Sequence, residues 1–101
     1  MAITFKIIST KPAGVLWFGQ VNAENRVKTQ EYDAWVASQP GFISQSLEDT
    51  GENIRTYTVE FDSLENYTAW ATIRLSQPLP IERSAYNNSV GITNSTSETI
   101  S

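Results

Sequence analysis

Residues 40–74 read PGFISQSLEDTGENIRTYTVEFDSLENYTAWATIR, and this stretch decides the fold. Its pattern of residue types predicts β-strands over residues 42–48 and 54–61. Residues 49–53 lie between the two strands as a hairpin loop, in which Gly51 is the expected position of positive φ. The stretch therefore begins with an antiparallel pair of strands.

An amphipathic helix is predicted directly after the hairpin. Asp62 or Ser63 can cap its first turn, and Glu65 follows Asp62 at the spacing of a capping box. Its buried stripe is expected to contain Leu64, Tyr67, Ala71 and Leu75, with Trp70 on the flank. A hairpin that leads into a capped helix is typical of a two-layer α+β domain.

The N-terminal part of the chain adds a strand and a helix. Residues 3–8 alternate between two faces, which predicts a first strand. The apolar run at residues 15–18 either extends that strand after a bulge or forms a separate edge strand. A helix is predicted over residues 22–38, because apolar side chains recur there at helical spacing. Either Asn22 or Asn25 can cap its start.

The C-terminal part is expected to complete the sheet. Residues 77–80 contain two prolines, which are predicted to end the second helix. The last strand is predicted within residues 81–93, and residues 94–101 are expected to form a mobile polar tail. Residues 1–93 then form one domain of order β-α-β-β-α-β. This is the ferredoxin-like plan, an antiparallel sheet with two helices on one face.

Composition excludes several classes of function. The formal net charge is -4, with 7 basic and 11 acidic residues, which argues against binding to nucleic acid. The chain has no Cys and no His, so thiolate chemistry, catalytic triads and histidine-ligated metals are excluded, and no metal site is predicted. No apolar run approaches membrane-spanning length, and the first residues lack a signal-peptide pattern, so a cytoplasmic location is expected.

The central stretch resembles the dimeric α/β-barrel superfamily, and within it the antibiotic-biosynthesis-monooxygenase group. The motif stands here as Pro40-Gly41-Phe42, followed by Glu60-Phe61-Asp62-Ser63-Leu64-Glu65-Asn66-Tyr67 and then Trp70. The resemblance is good over residues 42–75 and extends to the whole chain in topology. It implies a homodimer whose two sheets face each other, with a cavity between sheet and helices.

The resemblance also implies a chemistry and a set of site residues. Cofactor-independent oxygenases of this group activate oxygen with electrons from the substrate, and their side chains position and polarise an aromatic molecule. The motif aligns Asn66 and Trp70 with catalytic positions of the group. Tyr67 lies beside them in the motif, and Arg83 and Tyr86 are added as substrate-binding candidates because they lie near the last predicted strand. Haem-degrading members use a His, which this chain lacks, so their usual activity is not expected and no cofactor is predicted.

Each candidate residue has a structural alternative. Trp70 at helical spacing also fits a packed core, and Asn66 in the first helical turn also fits a solvated surface. Glu60 is the best acid–base and binding candidate if it is buried on the inner face of its strand, but it can equally pair with Lys6 or Arg55.

Two functions remain at this stage. One is a small cofactor-independent monooxygenase-like protein that acts on or binds an aromatic or polycyclic molecule. The other is a non-catalytic homodimeric binding or structural protein of the same fold.

Overall fold

A computed structural model describes residues 1–100 of the 101-residue chain as a four-stranded sheet with four helices. The elements are β1 (Ile3–Thr10), α1 (Phe18–Val21), α2 (Ala23–Ala37), β2 (Phe42–Gly51), β3 (Ile54–Phe61), α3 (Leu64–Arg74), α4 (Pro78–Val90) and β4 (Thr93–Ile100). The strand order is β2-β3-β1-β4, and every neighbouring pair is antiparallel. The predicted ferredoxin-like α+β fold is confirmed, with α1 and α4 added to the two expected helices.

An aromatic cluster forms the core between the sheet and α3. Phe5 and Phe61 extend from β1 and β3, while Tyr67 and Trp70 extend from α3. The ring centroids of Phe61 and Trp70 are 5.0 Å apart, and those of Phe5 and Trp70 are 5.9 Å apart in an edge-to-face arrangement. Buried aromatic pairs of this kind dominate the energetics of small cores, so this cluster holds α3 on the sheet.

Helices α2 and α3 begin at side-chain caps. The Asn22 side chain accepts a hydrogen bond from the Asn25 backbone N–H at 2.7 Å, which identifies Asn22 as the cap of α2. The Ser63 hydroxyl accepts from the Asn66 backbone N–H at 3.2 Å, so Ser63 is the cap of α3. Both predicted helices are confirmed, and each pair of alternative caps is resolved.

The predicted buried stripe of α3 is wrong in part. Leu64 and Leu75 are 54% and 63% exposed, whereas Trp70 is only 2% exposed and lies in the core. Once Ser63 caps the helix, Tyr67 and Trp70 lie on the face toward the sheet, and Arg74 follows Trp70 at a spacing of four. Trp70 is therefore central to the stripe and does not flank it.

Two local predictions near turns are also wrong. The run at residues 15–18 forms no strand; it leads into α1, where the Gln20 side chain accepts a hydrogen bond from the Trp17 backbone N–H at 3.1 Å. This bond closes a helical turn. In the hairpin, β2 continues to Gly51, and Asn53 has the positive φ, at 64°. Asn tolerates this left-handed conformation because its side chain is short and polar.

The C-terminal prediction is wrong in its element types. Residues 78–90 form helix α4, because Pro78 lies in the first turn, where a backbone N–H has no intrahelical partner. Gly91, with φ 84°, ends this helix. The last strand follows as β4 and pairs with the whole of β1, so residues 94–100, which we expected to form a mobile tail, belong to the sheet. Ser101 lies outside the described residues.

Candidate functional site

A cavity of about 130 Å³ lies between the helix-covered face of the sheet and helices α1, α2 and α4. We call it the sheet–helix cavity. Much of its wall is aromatic: Trp17 and Phe18 come from the start of α1, Tyr32 from α2 and Tyr57 from β3. Except for the partly exposed Tyr57, these side chains are at most 9% exposed. The cavity therefore presents flat, apolar surfaces to a bound molecule.

The charged groups of the cavity carry an excess of positive charge. Arg55 from β3, Arg74 from the end of α3 and Arg83 from α4 line it, and Asp33 from α2 is its single carboxylate. This excess stands out in a chain whose formal net charge is -4. The cavity is thus electrostatically suited to a molecule with negative charge.

The three guanidinium groups differ in their partners. Arg55 pairs with Asp49 at 2.8 Å and lies 4.9 Å above the Trp17 ring. The guanidinium of Arg74 lies 4.9 Å from the ring centroid of Phe5, and that of Arg83 lies 5.9 Å from the ring centroid of Tyr32. Within residues 1–100, neither Arg74 nor Arg83 has a carboxylate within ion-pairing distance of 4.0 Å. Two cations of the cavity therefore have no carboxylate paired with them among the described residues.

Burial shifts the pKa values of the ionisable groups around the cavity. It raises the pKa of the Asp33 carboxyl, and the neighbouring charge of Arg83 opposes this rise. Burial also lowers the pKa of Arg83, although a guanidinium remains protonated throughout the physiological range. The pKa of Tyr32 is raised by burial, and the nearby Arg74 opposes this shift. Asp33 is consequently the group most able to exchange a proton in the cavity.

A hydrogen-bonded chain fixes the wall between β2, β3 and α2. The Tyr57 hydroxyl donates to Gln45 Oε1 at 2.8 Å, and Gln45 Nε2 donates to the backbone carbonyl of Asp33 at 2.9 Å. Burial raises the pKa of Tyr57 well above its ordinary value, so its hydroxyl stays protonated and keeps donating. These two hydrogen bonds fix the backbone position of Asp33 relative to the sheet.

A second, more open groove of about 380 Å³ lies on the outer side of Tyr32, between α2 and the start of α4. Its cation, Lys28, pairs with Glu24 at 3.2 Å and with Glu82 at 2.9 Å. Because its one cation is already paired, this groove offers less to an anionic ligand than the sheet–helix cavity.

Of the site residues predicted from the sequence, Arg83 lines the cavity and the motif pair does not. Trp70 is buried behind the cavity wall, and the guanidinium of Arg74, which lines the cavity, lies 5.5 Å from its ring centroid. Its indole N–H has no hydrogen-bond partner within residues 1–100. Asn66 lies at the other end of α3, where its side chain donates to Asp62 Oδ1 at 2.9 Å and lies against Gly41.

The other three predicted residues also lie outside the cavity wall. Tyr67 packs in the core, where burial and the Glu98 carboxylate raise its pKa to about 12. The Tyr86 hydroxyl donates to the backbone carbonyl of Leu16, and its ring meets that of Phe18 edge-on at 5.9 Å. Glu60, whose cross-strand neighbours are Thr4 and Ser44, extends from the opposite face of the sheet.

Sequence reasoning missed Asp33, Arg74, Tyr32 and Tyr57. Arg74 follows Trp70 by four residues, so helical spacing alone indicates that the two share a face. Asp33 gives no such signal, because a carboxylate beside the buried Tyr32 is equally consistent with a solvated helix edge. Tyr57 alternates with Val59 and Phe61, so the sequence indicates only that the three share one face of the strand.

Comparison with solved structures establishes what this fold resembles. No family model matches the chain, and no curated protein matches it. SnoaB, a cofactor-independent oxygenase from Streptomyces nogalater, superposes with a TM-score of 0.62 at 19% identity, over 99% of this chain and 92% of that one. The chain shares its fold.

Two further structures agree. A proposed antibiotic biosynthesis monooxygenase from Deinococcus radiodurans gives a TM-score of 0.64 at 12% identity, over 100% of this chain and 92% of that one. MhuD from Mycobacterium tuberculosis, with two manganese protoporphyrin IX molecules in each active site, gives 0.56 at 22% identity, over 100% and 94%. The fold expected from the motif is thereby confirmed.

Within residues 1–100, no helix is both long and apolar enough to span a membrane.

Proposed function

We propose that this chain is a small monooxygenase-like protein that binds an aromatic molecule in the sheet–helix cavity and oxidises it without a cofactor. The observation that carries the proposal is the cavity itself, whose aromatic wall holds Asp33 beside the unpaired guanidinium groups of Arg74 and Arg83. The fold shared with SnoaB, a cofactor-independent oxygenase, supports the same reaction class.

The residues of the cavity suit the first step of such a reaction. Oxygenation without a cofactor requires an electron-rich substrate anion, and a phenol forms one when it loses its proton. Asp33 is the proposed base, because its raised pKa brings it closer to the working pH. Arg74 and Arg83 would then stabilise the negative charge that develops on the phenol oxygen.

The overall reaction balances with O₂ as the oxidant. A phenol with a free para position becomes a quinone: one atom of O₂ becomes the new carbonyl oxygen and the other leaves as water. The hydrogens of the O–H and of the para C–H end in that water. The protein supplies the base, the positive charge and a site shielded from solvent.

The test is turnover of simple phenols under ¹⁸O₂, followed by mass spectrometry of the quinone. One labelled oxygen per product is expected, and Asp33→Asn should abolish the activity while it retains the fold. Turnover that survives in Asp33→Asn would remove Asp33 from the mechanism. Absence of any labelled quinone across the phenols would contradict the oxygenase proposal.

Non-catalytic binding in the same cavity is the second candidate. It is favoured by the nearby charge of Arg83, which opposes the rise in the pKa of Asp33 and so weakens the carboxylate as a base. Binding without turnover at every pH would support this second candidate.

The homodimer and the cytoplasmic location belong to this proposal as well. The sheet face opposite the helices carries Ile8, which is 43% exposed, and a second copy would cover it. Native mass spectrometry should report twice the 11.3 kDa chain mass. A clean monomer at micromolar concentration would contradict the dimer.

A further inference from the structure

The size of the sheet–helix cavity limits what it can hold. Its volume is about 130 Å³. An engineered apolar cavity of roughly 150 Å³ holds one benzene molecule, whereas pockets for drug-sized ligands span roughly 300–1,000 Å³. A single aromatic ring therefore fits between the aromatic walls, and a polycyclic ring system does not fit without displacement of a wall.

The unpaired cations of the cavity determine the charge of the ligand. Arg74 and Arg83 have no carboxylate within 4.0 Å among residues 1–100, and Asp33 is the only acidic group in the wall. Both guanidinium groups are half-buried and contact aromatic rings, so an incoming anion provides a charge partner that the described residues do not supply. A neutral phenol does not provide it, because a phenol with a pKa near 10 is uncharged at neutral pH.

The geometry of the donors favours a carboxylate among possible anions. A guanidinium presents two parallel N–H groups that match the two oxygens of a planar carboxylate. Asn87 follows Arg83 by four residues on α4, so the two side chains share a face, and Asn87 is buried in the same wall. Its amide adds a neutral hydrogen-bonding group beside the guanidinium.

We infer that the cavity takes a single-ring aromatic carboxylate, with the carboxylate on Arg83, the phenol oxygen facing Arg74 and the ring between Tyr32 and Trp17. This inference rests on the proposed function only in using the same cavity, and it narrows the ligand to one ring with a permanent negative charge. A hydroxybenzoate whose ring position para to the hydroxyl is free would meet the requirements of both the oxidation and the ligand assignment. The charged end is then bound before any proton is removed.

The experiment is isothermal titration calorimetry of the full chain with matched probes. The probes are 3-hydroxybenzoate, its neutral counterpart 3-hydroxybenzyl alcohol, and the three-ring anthracene-2-carboxylate. We expect 3-hydroxybenzoate to bind at least tenfold more tightly than either of the others. Equal affinity for the alcohol would overturn the charge assignment, and equal affinity for the three-ring acid would overturn the size assignment.

Two variants locate the charge. Arg83→Gln should weaken binding of 3-hydroxybenzoate at least tenfold and leave binding of the alcohol unchanged, while Arg83→Lys should give an intermediate loss. The control is Arg26→Gln, which makes the same change at an exposed position of α2 and should bind as the wild type does. Circular dichroism confirms that each variant is folded. Equal affinities for Arg83→Gln and Arg26→Gln would refute the assignment.

The outcomes separate this inference from the proposed function. Tight binding of 3-hydroxybenzoate without oxygen incorporation would retain the ligand assignment and refute the oxygenase. Turnover of neutral phenols without preference for the acid would retain the oxygenase and refute the ligand assignment.

Discussion

Replacing Trp70 tests whether this motif residue acts as core or as site. Trp70→Phe removes roughly 40 Å³ of side chain, which at about 24 cal/mol per Å³ of cavity costs about 1 kcal/mol. It also removes an indole N–H that lacks a partner within residues 1–100, and such a buried donor costs about 1–3 kcal/mol. The two effects offset, so the free energy of unfolding should stay within about 1 kcal/mol of wild type or rise slightly.

The matched truncation Trp70→Ala should behave differently. It removes the ring contacts to Phe61 at 5.0 Å and to Phe5 at 5.9 Å, and truncations of this kind cost about 3–5 kcal/mol. Urea denaturation followed by circular dichroism measures both variants. A loss of about 3 kcal/mol or more in Trp70→Phe, the low end for truncation to Ala, would contradict the predicted offset, because it would mean that the indole N–H makes a favourable interaction.

Trp70→Phe also tests whether the indole contacts the ligand. Arg74 lies between Trp70 and the cavity, so we expect Trp70→Phe to bind 3-hydroxybenzoate about as well as wild type does. A folded, stable Trp70→Phe protein that loses binding would place the indole in contact with the ligand, as the motif resemblance implied.

Three further substitutions have defined outcomes. Asp33→Asn should stabilise the protein at pH 7 but not at pH 3. The raised pKa of Asp33 contributes stability at low pH, and this contribution is lost as the pH rises through that pKa. An effect on stability that does not change with pH in urea titrations would contradict this. Gly41→Ala should lower the free energy of unfolding more than Gly14→Ala does, by at least about 1 kcal/mol. Both glycines have positive φ, but only a Cβ on Gly41 meets side-chain atoms at 2.5 Å. Equal shifts in melting temperature for the two variants would count against the described turn. Tyr57→Phe should cost about 1 kcal/mol in urea denaturation, because it leaves Gln45 without its donor, and unchanged stability would argue against that bond.

The sequence predicted the elements that obey a simple period. Strand β3 and helix α2 combine regular alternation or helical spacing with clear end signals, and both were located correctly. The failures lie where one residue type has two opposite uses. Pro78 was interpreted as ending a helix, yet proline is equally favoured in the first turn of the next one.

The last strand was missed for a different reason. All eight residues of β4 are exposed, so no alternation of apolar and polar side chains marks it. Its position depends on pairing with β1, an interaction across more than eighty residues. Such non-local pairing is not visible in a local pattern.

The site was predicted less completely than the fold. Arg83 was proposed from its nearness to the last predicted strand, and it does line the cavity, although it lies on a helix. Asp33 and Arg74 become neighbours of Arg83 only when α2, α3 and α4 pack on the sheet. Their chemistry is a product of tertiary structure, which explains why a motif centred on Asn66 and Trp70 did not indicate it.

The most direct test of the central claim is nuclear magnetic resonance of the arginine side chains during titration with 3-hydroxybenzoate. We expect the Nε–Hε signals of Arg83 and Arg74 to shift in saturable fashion, while that of the exposed Arg26 stays in place. Shifts confined to Arg26, or no saturable shift at Arg83 and Arg74, would contradict the claim that the sheet–helix cavity binds an aromatic anion.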